Sequence, residues 1–187
     1  MKVICGLGNP GPEYEDTRHN VGWWVVDRLS YDWDLGPFRR EGRALVAGGR
    51  VGEHYVRLLK PLTFMNRSGS ALGALRGLDG FDPTSDLLVV VDEVALDVGR
   101  VRFRPGGSAG GHNGLRSVQA ALGTTEYDRL RIGVGPLPAG RDLADFVLED
   151  FEPDDEEVVA GLLPGITGAV LDWLEEGIEV AMNRHNR

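Results

Sequence analysis

The run Leu87-Leu88-Val89-Val90-Val91 constrains this chain more than any other segment. It is apolar without a break, so it has no face to offer to water, and a strand of that kind lies inside a sheet covered on both sides. The covering layers must be helices, and the rest of the sequence supplies them in alternation with further strands. Residues 3–7 read as a second buried strand that runs into a loop of interleaved Gly6, Gly8, Gly11, Pro10 and Pro12. Helical spacing follows from Val21 through Trp24, Val25 and Arg28 to Leu29, with Asn20 in the N-cap position. Residues 44–47 and 55–59 alternate like two antiparallel strands around a turn region between Gly48-Gly49 and Gly52, and Pro61 ends the second.

Residues 68–78 have helical spacing, and the central run that follows ends at Asp92. Residues 101–104 alternate like a half-buried strand, and residues 105–111 form a glycine loop that no regular element can contain. His112-Asn113 opens a helix to Leu122, residues 130–134 form another strand, and two or three acidic helices fill the chain from Arg141 onward. Strands alternating with helices, with a hairpin among them, predict an α/β fold: a three-layer sandwich with a twisted mixed central β-sheet flanked by helices. At 187 residues, with no repeat and no long linker, residues 1–187 are expected to form a single domain.

Composition narrows the chemistry. Cys5 is the sole cysteine, which excludes an internal disulfide framework and any cysteine-cluster metal site and fits a reducing compartment. The opening Met1-Lys2-Val3-Ile4-Cys5 gives neither a signal peptide nor a transit segment, and no stretch approaches about 18 uninterrupted apolar residues, so a soluble cytoplasmic protein without a membrane partner is expected. The histidines at 19, 54, 112 and 185 form no HxxH or HxxxH pair, and neither a metal nor a cofactor is expected. Gly6-Leu7-Gly8-Asn9-Pro10-Gly11 matches the letters of a dinucleotide fingerprint, with Asp27 at about the right distance. Pro10 and Pro12, however, lack the backbone N–H groups that would meet a pyrophosphate, and Asp27 falls inside a helix. A nicotinamide-dependent oxidoreductase is therefore disfavoured. No P-loop is present either.

The net charge of −9, from 20 basic and 29 acidic side chains, argues at first sight against a nucleic-acid partner. Its distribution says otherwise. Residues 1–131 carry 17 basic and 16 acidic side chains, residues 132–187 carry 3 and 13, and residues 98–117 hold four arginines and no acid. The acidity belongs to the final helices, and the body keeps a basic stretch suited to phosphate.

His19, in the loop after the first strand, and Asp92, at the end of the central strand, could meet at one rim of the sheet. A carboxylate that accepts one imidazole N–H leaves the other ring nitrogen free to deprotonate water. A lone loop histidine more often caps the next helix, and both readings of His19 stand at this point. Asn9, Asn66 and Asn113 lie at element ends, where a primary amide can both donate to a carbonyl and accept from an N–H; asparagine also favours such places for turns and caps.

Four longer motifs go further. Gly6 to Gly11 with Tyr14 and Thr17-Arg18-His19-Asn20-Val21-Gly22; Lys60-Pro61 with Thr63 to Gly69; Gly106 to Ser117; and Arg129 to Gly135 resemble bacterial peptidyl-tRNA hydrolases in order and spacing. The resemblance spans almost the whole chain, and the last helices fit by size and character alone. It implies an enzyme that hydrolyses the ester between a peptide and the 3′ ribose of tRNA, recycling tRNA from stalled translation. It implies His19 as general base and Asp92 as its holder, with Asn9, Asn66 and Asn113 binding substrate and positioning water or the oxyanion. His112 would contact the peptide with Asn113, and Tyr14 and Met65 would add surface near the 3′ end. Arg104 and Arg131 would grip tRNA phosphate, with Arg102 and Arg116 widening the patch. The partner implied is peptidyl-tRNA, at its acceptor stem and 3′ end, met by a monomer. One departure stands out: Ala95 and Asp97 occupy positions where the family usually has an acid and a proline, which affects the loop after Asp92. The rival on the same scaffold is a non-catalytic RNA-binding protein of the splicing-factor kind.

Overall fold

A computed structural model describes residues 1–186. Seven strands form one sheet: β1 (Lys2–Gly6), β2 (Arg39–Glu41), β3 (Ala44–Val51), β4 (His54–Pro61), β5 (Leu87–Asp97), β6 (Val101–Pro105) and β7 (Asp128–Gly135). Six α-helices accompany them: α1 (Val21–Asp32), α2 (Pro83–Asp86), α3 (Asn113–Leu122), α4 (Leu143–Val147), α5 (Pro153–Glu176) and α6 (Ile178–His185). The spatial order is β2-β3-β4-β1-β5-β7-β6; β4, β1, β5 and β7 are mutually parallel, β3 and β6 run against them, and β2 pairs antiparallel with β3. The sheet is mixed, as expected.

The apolar run sits near the middle of the sheet and feeds both layers. Leu88 and Val90 join the core beneath α1, α5 and α6, whereas Leu87, Val89 and Val91 join the core beneath α3. The two-residue period of a strand thus makes three layers from one sequence. Because β1 pairs with β4 on one side and β5 on the other, the chain reverses direction across the sheet at β1, and in open α/β sheets the crevice outside such strand ends receives ligands. Helix α1 lies unusually close to this point. A methyl group on Gly22 would stand 2.6 Å from the carbonyl oxygens of both Leu7 and Val90, so only glycine lets the helix start there.

Several expectations are corrected. Residues 68–78 are not α-helical but belong to two 3₁₀ turns, Met65–Ala71 and Gly73–Gly77; Gly69, Gly73 and Gly77 deprive the segment of α-helical preference. Strand β5 does not stop at Asp92 but continues to Asp97 through an irregularity after Glu93, the stretch that contains Ala95. Gly48 and Gly49 lie inside β3, and the hairpin turns at Gly52-Glu53. Short β2, which the sequence reading did not assign, extends that hairpin. Helix α5 passes the length and composition test for a membrane span that the sequence reading set aside, yet Val159, Ile166, Val170, Trp173 and Leu174 are buried in the core against the sheet.

Candidate active site

A cleft of about 500 Å³ opens at the carboxyl ends of β1 and β5. Its wall contains His19, Asp92, Asn9, Asn66, His112, Asn113, Tyr14 and Met65, the eight residues singled out for chemistry and substrate. They arrive from four stretches of the chain, residues 9–19, 65–66, 92 and 112–113.

Asp92 is 3% exposed at the base. Its two oxygens each meet one imidazole: Oδ2 lies 2.8 Å from His19 Nδ1, and Oδ1 lies 2.8 Å from His112 Nε2. The His112 tautomer follows from its other nitrogen. As N-cap of α3, His112 Nδ1 accepts from the backbone N–H groups of Gly114 at 3.1 Å and Leu115 at 3.3 Å, so the proton sits on Nε2 and is donated to Asp92. Burial pushes the Asp92 carboxyl up, but the two imidazoles and their hydrogen bonds outweigh it and hold the group well below the usual carboxylate range. A carboxylate kept ionised here accepts from His19 Nδ1–H, which leaves His19 Nε2 with its lone pair.

Sequence spacing gave no paired histidines, yet the fold gathers His19, Asp92 and His112 so that one ligand-type atom from each lies within 4.8 Å of the others. Both carboxylate oxygens already take ring N–H groups, and the remaining nitrogen of His112 caps a helix. A metal would have to displace both protons, so the grouping fits a proton-bridged relay better than a ligand set.

The loop that carries His19 is held from two directions. Asn20 was placed as a helix cap, but its side chain makes no such bond; Oδ1 accepts from Asn9 N at 2.8 Å and Nδ2 donates to Asn9 O at 2.9 Å. The first asparagine motif and the His19 turn are thereby tied together. Asn9 Oδ1 in turn accepts from Met65 N at 2.7 Å, which commits the amide oxygen and leaves the Nδ2 donors as its free end. Asn66 and Asn113 are exposed on the cleft wall. Met65 has two roles, core and wall: it is 4% exposed, and its Sδ would be 2.5 Å from a methyl group on Gly114.

The sequence reading missed Arg18, which is 4% exposed and donates to the carbonyl of Phe146 at 3.1 Å with its guanidinium 4.1 Å from that ring's centre. This contact docks α4 beside the His19 turn and lets Leu143, Ala144, Val147 and Leu148 form an apolar side of the cleft. Nothing local in the sequence signals it, because 128 residues separate the partners. Arg129 was missed too. It is 2% exposed and donates to the carbonyls of Ser108 at 2.6 Å, Thr125 at 3.2 Å and Gly107, which anchors the glycine loop.

None of Arg102, Arg104 and Arg131 lines the cleft. Arg102 stands opposite Arg131, and Arg104 opposite Arg129, across the β6–β7 pair, so the four share one face, on the α3 side. Arg102 and Arg104 are exposed; Arg131 is half-buried and ion-paired with Glu93, its Nε 2.8 Å from Oε2. Arg116 leans on Asn113 at 3.4 Å.

Fold and site define a class: an α/β sandwich with a carboxylate-held histidine in a cleft at the switch point of its sheet. The family described as peptidyl-tRNA hydrolase matches residues 3–187. A peptidyl-tRNA hydrolase of Gemmatimonas aurantiaca is 47% identical, over the full length of both chains. One from Salinibacter ruber is also 47% identical, over 98% of this chain and 97% of its own. The crystal structure of the Acinetobacter baumannii peptidyl-tRNA hydrolase superposes with a TM-score of 0.91 at 31% identity, covering 100% of this chain and 94% of that one. The chain belongs to the peptidyl-tRNA hydrolase family.

Proposed function

We propose that His19, held by Asp92, is the general base with which this chain hydrolyses the ester joining a peptide to the 3′ ribose of tRNA. The observation that carries the reading is the 2.8 Å bond from His19 Nδ1 to a buried, ionised carboxylate at the base of the cleft. His19 Nε2 takes a proton from water as its oxygen attacks the ester carbonyl carbon. The resulting imidazolium, stabilised by Asp92, gives that proton to the departing ribose oxygen as the C–O bond breaks. The products are a peptide carboxylic acid, which then ionises, and a tRNA with a free 3′ hydroxyl. A ribose hydroxyl leaves far more readily than an amine, so water activated in this way suffices without a covalent nucleophile.

The amide donors of Asn9, Asn66 and Asn113 face the same space and are suited to the developing oxyanion and to the peptide backbone. Tyr14 and Phe64, in an edge-to-face pair with centroids 6.3 Å apart, offer an aromatic surface for the 3′-terminal base. Arg102 and Arg104, on the adjacent face, suit the acceptor-stem phosphates; Arg131 joins them when phosphate replaces Glu93 as its partner. Action as a monomer in the cytoplasm is part of the same proposal.

Purified protein should release the N-acetyl-amino acid from N-acetyl-aminoacyl-tRNA in the presence of EDTA. An intact ester would leave the non-catalytic RNA-binding alternative.

A further inference from the structure

Strand β6 lies at the edge of the sheet, and its backbone should therefore expose unpaired groups on one side. At Phe103 it does not. The side chain of Asn186 meets both backbone groups of that residue: Asn186 Oδ1 accepts from Phe103 N at 2.6 Å, and Asn186 Nδ2 donates to Phe103 O at 2.9 Å. One primary amide thus makes the pair of bonds that an eighth strand would make. Its own backbone is fixed, since Asn186 N donates to Met182 O at 3.1 Å at the end of α6. That end is itself tied to α5, where Asp172 lies 2.8 Å from His185 Nε2 and 3.2 Å from Arg184 Nη1, and Glu176 lies 2.5 Å from Arg184 Nη1. Phe103 is 1% exposed, and its ring packs into the core below, 6.3 Å from the His185 ring.

Phe103 separates Arg102 from Arg104, and both point to the other face of the strand. We propose that Asn186 is a positioning residue for tRNA binding: by splinting the backbone of β6 it holds the guanidinium groups of Arg102 and Arg104 at the spacing that meets acceptor-stem phosphates. The inference rests on the reading that these arginines bind tRNA. Two long flexible side chains on an unpaired edge would lose more freedom on meeting phosphate than the same side chains on a fixed backbone, and the splint removes part of that cost beforehand. The acidic tail helices then have a use in a nucleic-acid enzyme, since they carry the residue that stiffens its basic strand.

The test compares Asn186→Ala, Asn186→Gln, Arg104→Ala and the unaltered chain on two esters: N-acetyl-aminoacyl-tRNA and an N-acetyl-aminoacyl ester of adenosine that has no phosphates. For Asn186→Ala the KM on the tRNA substrate should rise roughly three- to ten-fold, the loss of about one hydrogen bond's worth of organisation, with kcat retained. KM on the adenosine ester should not move, the Phe103 amide should exchange hydrogen faster, and Asn186→Gln should recover part of the tRNA KM. Faster exchange at Phe103 with an unchanged tRNA KM would overturn the proposal, as would an equal loss on both esters, which would mark Asn186 as a general stabiliser. If Arg104→Ala also leaves the tRNA KM untouched, it is the assignment of the arginines that fails, and the splint's role falls with it.

Discussion

At the scale of the residue, the site depends on which atom carries each proton. His112 Nδ1 is occupied by two backbone N–H groups, so its proton is on Nε2, and Asp92 has one oxygen left for His19. Asp92→Asn replaces one of those oxygens with an NH₂ that opposes a ring N–H. If the amide oxygen stays with His112, His19 must turn its Nδ1 into an acceptor, and its Nε2 then holds a proton instead of a lone pair. We expect kcat to fall by roughly 10³- to 10⁴-fold with KM nearly constant; a loss confined to KM would show that Asp92 serves binding. His112 separates in the same way. His112→Asn retains a good N-cap and loses the donor to Asp92, whereas His112→Ala loses both and should unfold about 1 kcal/mol more easily than the asparagine variant in a denaturant titration. Of these roles the sequence made the His19–Asp92 meeting legible, because the loop after the first strand carries His19 and the apolar run of the central strand ends at Asp92, at the same rim. It did not make legible the second donor on Asp92. His112 was assigned to peptide contact by resemblance, and a bond across 20 residues has no local signature.

At the scale of the element, two contacts fix the layers. The methyl group of Gly22→Ala would meet two backbone carbonyls at 2.6 Å, and neither strand can retreat, so α1 must lift and carry the His19 turn with it. The substitution should cost about 3 kcal/mol and lower kcat together with stability; a stable, fully active variant would mean that α1 does not set the position of His19. Asp128 offers a pH-dependent case. It is buried on β7, where its Oδ2 accepts from Trp173 Nε1 of α5 at 2.7 Å. Burial pushes its carboxyl up to about 6, against the smaller opposing effects of the Trp173 bond and Lys2. The folded form therefore binds this proton more tightly than the unfolded chain does. Its contribution to stability is complete below the unfolded value near 3.8 and is lost as pH rises through about 6. Thermal unfolding of Asp128→Asn and of the unaltered chain should diverge across that window, with the variant showing the flatter profile; parallel curves would contradict the assignment.

Elements were legible where one interaction decides them and obscure where two compete. The run at residues 87–91, the strand at residues 3–7 and the helix opened by His112-Asn113 follow from apolar period and capping. Residues 68–78 have helical spacing too, but their glycines surrender α-helix for close approach to α3, where Gly69 N donates to Ser117 Oγ at 3.0 Å. Strand β5 outruns Asp92 because it pairs beyond that point with β7, as far as Asp97 opposite Gly135, a partner no local window contains.

At the scale of the whole molecule, charge is divided between a body that is nearly neutral with an arginine face and a tail of acidic helices on the other layer. Non-specific attraction to nucleic acid should be weak and affinity concentrated in a few contacts. The slope of log KM against log salt should therefore be shallow, and Arg104→Ala should reduce it by about 0.7–0.9, the worth of one phosphate contact. An unaltered slope would place the phosphate site elsewhere.

The central claim is that His19 performs chemistry while other residues bind the tRNA. Single-turnover hydrolysis of N-acetyl-aminoacyl-tRNA by His19→Ala, measured beside the Kd for the same substrate, tests it most directly. The account predicts a rate lower by roughly 10³-fold or more, with Kd within about two-fold of the unaltered chain. Hydrolysis at an undiminished rate, or an equal loss of rate and affinity, would contradict it.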